Sequence, residues 1–282
     1  MDFPPVMPGR KSPYTRVRNT GASSESTPLS LNSSTRLGCS SANDGWPFVT
    51  NRTSLPSDPF ALKALSKWNP RRLAFTCYYR VADHFGHATY KRISECIDLT
   101  ALQHVRADPG IAVLDTLLSS TKISLLLDAV KGSEELNEPI VEIGSYRGAT
   151  TCALAAGTRR QVFAVDPYLG YGGDQSDEQI FNSRASRHPN ITHLRITSGQ
   201  ALMNPECQLV SMVFIDAVND FANFWFNCVA WMRKVKSGGF VAVNQVDEWP
   251  GPNLACRRLL RLGNEITPWG YCGDLIVFRK LR

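Results

Sequence analysis

From Val113 to the C-terminus, short apolar runs alternate with stretches in which apolar residues recur every three or four positions. The short runs are rich in Val, Ile and Phe, which is typical of buried strands, and the periodic stretches are typical of helices. Strands separated by helices predict an α/β fold with a doubly wound, mostly parallel sheet. The six predicted strands are PIVEIG (139–144), QVFAVD (161–166), ITHLRIT (191–197), LVSMVFIDA (209–217), GGFVAVNQV (238–246) and DLIVFRKL (274–281).

The chain before this region has a different pattern. Residues 1–58 are rich in Ser, Thr, Pro, Asn and Gly and contain few large apolar residues, which predicts a disordered tail. Its Arg and Ser content is typical of a transit peptide, although its prolines oppose the amphipathic helix that such peptides need. Residues 59–112 contain short helical patterns, one of them ending at Pro70, and predict a helical extension or lid. Residues 113–282 are predicted to form the main domain.

The formal net charge of +6 is concentrated near the N-terminus, where residues 1–70 hold eight Lys and Arg against four Asp and Glu, or +4. The main domain is therefore nearly neutral, which argues against a nucleic-acid partner. No run approaches the roughly 18 apolar residues of a membrane span, and no apolar secretory segment opens the chain. The eight cysteines form no C-x-x-C pair, so we expect a reducing, cytoplasmic environment and no membrane partner.

A glycine turn follows the first predicted strand directly. Gly144 permits a backbone conformation closed to other residues, and Gly148 permits either close approach of a ligand or tight packing of the next helix. Ligands of doubly wound sheets bind outside the carboxyl ends of the strands, where the strand order reverses. Asp166 ends the second strand, so its carboxylate can accept hydrogen bonds from both hydroxyls of a ribose, or cap the helix that follows.

The turn differs from the dinucleotide-binding fingerprint G-x-G-x-x-G because it lacks the third glycine. Glu142 also places an acid at the end of the strand, which favours a cationic ligand over a diphosphate. Both features argue against an oxidoreductase of the dinucleotide-binding type.

Five motifs carry a resemblance to a known family: VEIGSYRGATT, FAVDP, TSGQAL, VFIDAVNDF and SGGFVAVNQVDEWPG, in this order and spacing. Over about residues 113–282 the chain resembles the class I S-adenosylmethionine-dependent methyltransferases, which have a Rossmann-like fold. Within that class it is similar to O-methyltransferases of the catechol and caffeoyl-CoA type and to their bacterial relatives. The resemblance implies S-adenosylmethionine as cofactor, a small-molecule methyl acceptor with a hydroxyl group, and a lid or homodimer contact formed by the N-terminal segment.

The resemblance also implies individual residue roles. Asp166 would hold the ribose of the cofactor, Gln200 would lie beside the adenine amino group, and Asp216 would face the cofactor or the acceptor. The loop that lines the methionine end of the cofactor would consist of Glu142, Gly144, Ser145, Tyr146, Gly148 and Thr150. Structural roles are the alternatives, because Tyr146 can cover the edge of the core and Ser145 can cap a helix.

The catalytic positions of the family are altered in this chain. Its metal-dependent members hold a divalent ion through an Asp and an adjacent Asp-Asn pair, which correspond here to Asp216, Asn244 and Gln245. One ligand carboxylate is thus replaced by an amide, which weakens Mg²⁺ binding, so we expect little dependence on a metal. The family's catalytic lysine corresponds to Asn219, which cannot act as a general base.

The residues expected at the reacting centre are therefore Asp216, Asn219 and Asn244, and transfer without a metal would rely on alignment of the reacting atoms. Three other acids in the same two loops could orient or deprotonate an acceptor, or remain solvated: Asp220, Asp247 and Glu248. Trp249 is a candidate wall of the acceptor pocket. A catalytically inactive methyltransferase-like binding or scaffold protein remains the alternative.

Overall fold

The computed structural model describes residues 57–102, 116–170 and 173–282. The predicted tail, residues 1–58, lies outside these ranges except for its last two residues. No helix within the described ranges has both the length and the apolar character needed to cross a membrane. The elements are α1 (Pro59–Ala64), α2 (Pro70–Ala88), α3 (Ser120–Gly132), β1 (Ile140–Ile143), α4 (Ala149–Ala156), β2 (Val162–Val165), α5 (Gln175–Ala185), β3 (Ile191–Leu194), α6 (Ser198–Ala201), β4 (Val210–Ile215), α7 (Phe221–Lys234), β5 (Val235–Val243), α8 (Pro250–Leu260), β6 (Ile266–Cys272) and β7 (Leu275–Lys280).

The strands form one sheet with the order β3-β2-β1-β4-β5-β7-β6. Strands β1 to β5 are parallel to one another, whereas β7 runs antiparallel to both β5 and β6. The predicted doubly wound, mostly parallel sheet is confirmed. The strand order reverses between β1 and β4, so a ligand crevice is expected outside the carboxyl ends of these two strands.

Strand β6 is missing from the six predicted strands. It contains Pro268 and Gly270, and its pairing with β7 is irregular between these two residues. Proline removes a backbone donor and is tolerated mainly at sheet edges and bulges, and β6 is the edge strand here. Its sequence therefore resembles a loop although it forms a strand.

The helical extension also differs from its sequence pattern. Pro70 begins α2, where its missing N–H costs nothing, and Asn69 caps the helix by accepting a hydrogen bond from the Arg71 amide at 2.9 Å. Pro70 had been expected to end a helix. Beyond α2, the helical spacing of RISECIDLTALQHV yields only two short 3₁₀ turns within the described residues, Ile93–Glu95 and Leu99–Ala101.

Alternate residues of the parallel strands pack on opposite faces of the sheet, as the pleat requires. Val141 and Ile143 belong to the core that also contains α7 and α8 side chains, whereas Ile140 belongs to the core formed with α3 and α4. Glu142 shares the face of Ile140. A carboxylate in the middle of a buried strand is unusual, and it marks the part of the fold that carries the candidate site.

Asp247, in the loop after β5, anchors the segment that follows α2. Its carboxylate accepts a hydrogen bond from the backbone amide of Ile93 at 2.6 Å and another from the Tyr271 hydroxyl on β6. Its backbone carbonyl accepts from the Tyr90 hydroxyl at 2.6 Å. Ile93 is fully buried in the core with α7 and α8, so this acid joins the N-terminal segment to the main domain.

We expect Asp247→Ala to lower the free energy of unfolding by about 1–3 kcal/mol, because the Ile93 amide and the Tyr271 hydroxyl lose their acceptor. Urea unfolding followed by circular dichroism measures the effect. Glu135→Ala removes an exposed carboxylate and is the matched control. Equal unfolding midpoints for the two variants would show that Asp247 is not an anchor.

Candidate functional site

Four residues lie side by side at the carboxyl ends of four neighbouring strands: Asp166, Gly144, Asp216 and Asn244. Each is the first residue after its strand, and the strand ends are in register. Backbone hydrogen bonds extend the sheet to this row, from Gly144 N to Val165 O and from Asp216 N to Ile143 O, both at 2.9 Å. We call this row the carboxyl rim.

Gly144 is required by the close approach of β4. Its φ is +91°, and a Cβ atom at this position would lie 2.0 Å from the carbonyl oxygen of Asp216. No side chain fits there unless one of the two strands moves. The sharp turn after β1 is therefore fixed by the contact between the two strands that flank the crevice.

We expect Gly144→Ala to destabilise the protein by roughly 2–4 kcal/mol, because conformational strain and the clash with Asp216 add together. Gly238→Ala is the matched control, since Gly238 has a φ of +86° but no atom lies within 4 Å of an added Cβ. The control should cost only about 1 kcal/mol, from backbone strain alone. Chemical denaturation of both variants tests this, and equal losses would show that the close contact is unimportant.

Ser145 follows Gly144 and is buried, with only 4% of its surface exposed. Its hydroxyl has no hydrogen-bond partner among the described residues. An unpaired buried hydroxyl is costly, and it is the expected state of a group that pairs only with a ligand. Gly148 has a structural role, because an added Cβ would lie 2.7 Å from the Phe181 ring on α5.

Asp166 ties the loop after β1 to the loop after β2. It accepts hydrogen bonds from the backbone amides of Tyr146 at 3.0 Å and of Tyr168 at 2.9 Å. The Tyr168 hydroxyl in turn donates to the carbonyl oxygen of Tyr146 at 2.5 Å. Burial raises the pKa of Asp166, although these backbone amides oppose the increase. Each carboxylate oxygen can still accept a further hydrogen bond.

Glu142 is fully buried and accepts a hydrogen bond from the Thr151 hydroxyl on α4. Burial raises its pKa from 4.5 to about 8, and the charges of Asp216 and Asp166 add to the increase while the Thr151 bond opposes it. Thr151 was not among the expected site residues. Thr150, which was, is buried in the first turn of the same helix.

The raised pKa of Glu142 predicts a pH-dependent stability. The folded state holds a proton that the unfolded state releases between about pH 4.5 and about pH 8, so stability falls as pH rises through this window. We expect Glu142→Gln to lose less free energy of unfolding than the wild type between these two pH values.

Urea unfolding at a series of pH values measures this effect, with the exposed Glu135→Gln as control. Parallel stability curves for wild type and Glu142→Gln would show that Glu142 titrates normally.

Lys122 reaches the carboxyl rim from the first turn of α3. Its ammonium donates to Asn244 Oδ1 at 3.1 Å and forms an ion pair with Asp274, in the turn before β7. Asn244 also hydrogen-bonds the Asp216 side chain. Burial raises the pKa of Asp216 to about 6, although the Asn244 bond and the Lys122 charge oppose the increase.

Lys122 and Asp274 were missed at the sequence level. A signal existed for Lys122, because the fully buried residues Leu125, Leu126 and Ala129 lie three, four and seven positions later on the same helix face. A lysine on the buried face of a helix indicates a partner for its charge.

Asn219, Gln245 and Trp249 form a second cluster beside the rim. With its amide oriented as its neighbours require, Asn219 donates to the Gln245 side chain and accepts from Trp249 Nε1 at 3.3 Å. Gln245, in the loop after β5, has a φ of +61°. The Trp249 side chain is 45% exposed, so it can form a wall for a bound molecule.

These contacts do not fit a divalent metal on Asp216, Asn244 and Gln245. The Asn244 oxygen is bonded to a lysine ammonium, and Gln245 is paired with Asn219. No group of three His, Cys, Asp or Glu residues in the described ranges is placed to hold a metal ion.

The remaining expected site residues have structural partners. The Gln200 side chain accepts from the Thr197 amide at 2.9 Å and completes a capping box at the start of α6. Asp220 caps α7 by accepting from the Asn223 amide at 2.8 Å. Glu248 is exposed. The role of Gln200 beside an adenine stays a prediction.

Residues 141–246 match the model of a family described as a methyltransferase domain. This segment resembles a methyltransferase domain. The match begins in β1 and ends just after β5, so it contains the whole carboxyl rim. No curated protein matches the chain significantly.

Solved structures with a similar fold include several methyltransferases. O-methyltransferase NovP is 13% identical, with 59% of this chain and 82% of that chain covered and a TM-score of 0.49. TomG from Streptomyces achromogenes, an O-methyltransferase solved with S-adenosylmethionine, is 18% identical over 60% and 83% of the chains, with a TM-score of 0.46. An rRNA methylase from Streptococcus thermophilus is 11% identical over 59% and 99%, with a TM-score of 0.45. Similarities this distant do not identify the substrate.

Proposed function

We propose that this methyltransferase transfers a methyl group from S-adenosylmethionine to a hydroxyl oxygen of a small molecule. The observation that carries the proposal is the buried, unpaired hydroxyl of Ser145 in the tight turn at Gly144. When bound, the cofactor supplies a methyl group already activated by a positively charged sulfur.

The charges of the site match such a ligand. Glu142 and Asp166 are buried carboxylates on β1 and just after β2, Asp216 is a partly buried carboxylate just after β4, and desolvation raises the pKa of each. A ligand that carries an ammonium and a sulfonium would stabilise their ionised forms. Asp166 retains acceptor capacity for the two hydroxyls of a ribose, and the Ser145 hydroxyl gains a partner.

The chain contributes orientation and a proton acceptor to the transfer. The acceptor oxygen forms a bond to the methyl carbon as the carbon–sulfur bond breaks, and the electron pair of that bond stays with sulfur. Asp216 is the nearest rim carboxylate to the Asn219 and Trp249 cluster and is suited to accept the hydroxyl proton. The half-exposed Trp249 indole would pack against a planar acceptor.

Two measurements test the proposal. Calorimetry should show that the purified protein binds S-adenosylmethionine and its demethylated product. A mass-spectrometric screen of phenols, sugars and natural-product precursors should then detect a methylated product. Cofactor binding with no transfer to any member of the panel would favour the inactive binding protein, and methylation of bulk RNA alone would contradict a small-molecule acceptor.

We expect Ser145→Ala to weaken cofactor binding without lowering the stability of the protein. We expect the variant to bind S-adenosylmethionine roughly threefold to tenfold more weakly, because a hydrogen bond of about 0.5–1.5 kcal/mol is lost. Its stability without ligand should be unchanged or higher, because an unpaired buried hydroxyl disappears.

Ser211→Ala is the control, since that buried hydroxyl lies near the amino end of β4, away from the carboxyl rim, and is bonded to Arg160 and to the Glu138 carbonyl oxygen. It should lose stability and keep its affinity for the cofactor. Equal cofactor affinity for Ser145→Ala and wild type would remove Ser145 from the site.

A further inference from the structure

Lys122 places its ammonium at the carboxyl rim, between the Asn244 side chain and Asp274. Its side chain is 14% exposed, so most of the lysine stem is buried and the ammonium has a fixed position. Asn244 bridges this ammonium to Asp216, because its amide bonds both groups. The side chains of Lys122, Asn244 and Asp216 are therefore connected in a row, and Asp216 follows the strand next to Gly144.

A divalent metal would compete with Lys122 for the same oxygen. A magnesium ion bound to Asn244 Oδ1 would lie about 2.1 Å from it, and the lysine nitrogen already lies 3.1 Å from that atom. Two cations cannot share one neutral amide oxygen at these distances without strong repulsion. The ammonium and the metal are therefore alternatives at this position.

We propose that the Lys122 ammonium takes the place of a divalent metal at the carboxyl rim and is the cation that faces the reacting oxygen of the methyl acceptor. An ammonium has three donors, and two of them serve Asn244 and Asp274, which leaves one for a ligand oxygen. A cation beside a hydroxyl favours its ionised, nucleophilic form.

This arrangement also defines the acceptor. A metal binds two neighbouring oxygens at once, whereas one N–H donor holds a single oxygen. The acceptor is therefore expected to need one acidic hydroxyl, as in a phenol, and no second oxygen beside it. This inference rests on the proposed methyltransferase activity, but its metal-binding part can be tested separately.

Mn²⁺ binding, followed by electron paramagnetic resonance, tests the replacement without any acceptor. Wild type and Asn244→Asp should leave Mn²⁺ free, because Lys122 occupies the position. Lys122→Met combined with Asn244→Asp should bind Mn²⁺ at least about tenfold more tightly than Asn244→Asp alone. Lys131→Met combined with Asn244→Asp is the control, since Lys131 is an exposed lysine on the same helix.

Two outcomes would overturn the replacement: tight Mn²⁺ binding by the wild type, or equal Mn²⁺ affinity in Asn244→Asp with and without Lys122. Failure of the wild type to bind S-adenosylmethionine would instead defeat the proposed function and leave the metal result standing.

The acceptor contact is tested with the phenol that the screen methylates fastest, in the presence of a chelator. We expect Lys122→Met to lower kcat by about tenfold or more. Its cofactor affinity should stay within about twofold of the wild-type value, and its unfolding midpoint within a few degrees. Lys122→Arg should recover much of the rate. A chelator that abolishes wild-type activity, or a Lys122→Met variant with unchanged kcat and KM, would contradict the contact.

Discussion

The burial of acidic side chains where parallel strands end is the constraint on which the candidate site depends. Glu142, Asp166 and Asp216 lie on or just after three neighbouring strands, and burial raises the pKa of all three. Buried acids of this kind either hold a proton or are compensated by a cation or by several hydrogen-bond donors. Lys122 compensates Asp216 through Asn244, and backbone amides compensate Asp166. Glu142 receives one hydroxyl donor, and its pKa of about 8 keeps it protonated near neutral pH unless a cationic ligand binds beside it.

The backbone around the carboxyl rim also contains most of the non-glycine residues with positive φ in the described ranges. Of the four non-glycine residues with positive φ in the described ranges, Tyr146, Tyr168 and Gln245 follow β1, β2 and β5 respectively. Such conformations are costly and persist where the surrounding contacts enforce them. Here the contacts are the hydrogen bonds that Asp166 makes to Tyr146 and Tyr168, and the pairing of Gln245 with Asn219. The loops are thus held in place by side chains of the rim itself.

The sequence predicted the parts of the fold that depend on local pattern. Buried parallel strands are short apolar runs, so β1 to β5 and β7 were recognised, and parallel register then brings Gly144, Asp166, Asp216 and Asn244 to one edge. Strand β6 was missed because an edge strand tolerates Pro268 and Gly270. Lys122 and Asp274 were missed as site residues because their contact joins positions far apart in the chain, and no local spacing encodes such a contact.

The amides at positions 244 and 245, where metal-dependent enzymes have an Asp-Asn pair, can be explained once Lys122 is included in the site. A metal centre needs several anionic ligands, so an amide at position 244 would weaken it. The Lys122 ammonium is paired with one carboxylate, that of Asp274 in the turn before β7. A neutral side chain is sufficient at position 244, because Asn244 accepts a hydrogen bond from the Lys122 ammonium and forms another with the Asp216 side chain. Gln245 instead contacts Asn219, which also bonds Trp249, so the side chains of the two loops are linked.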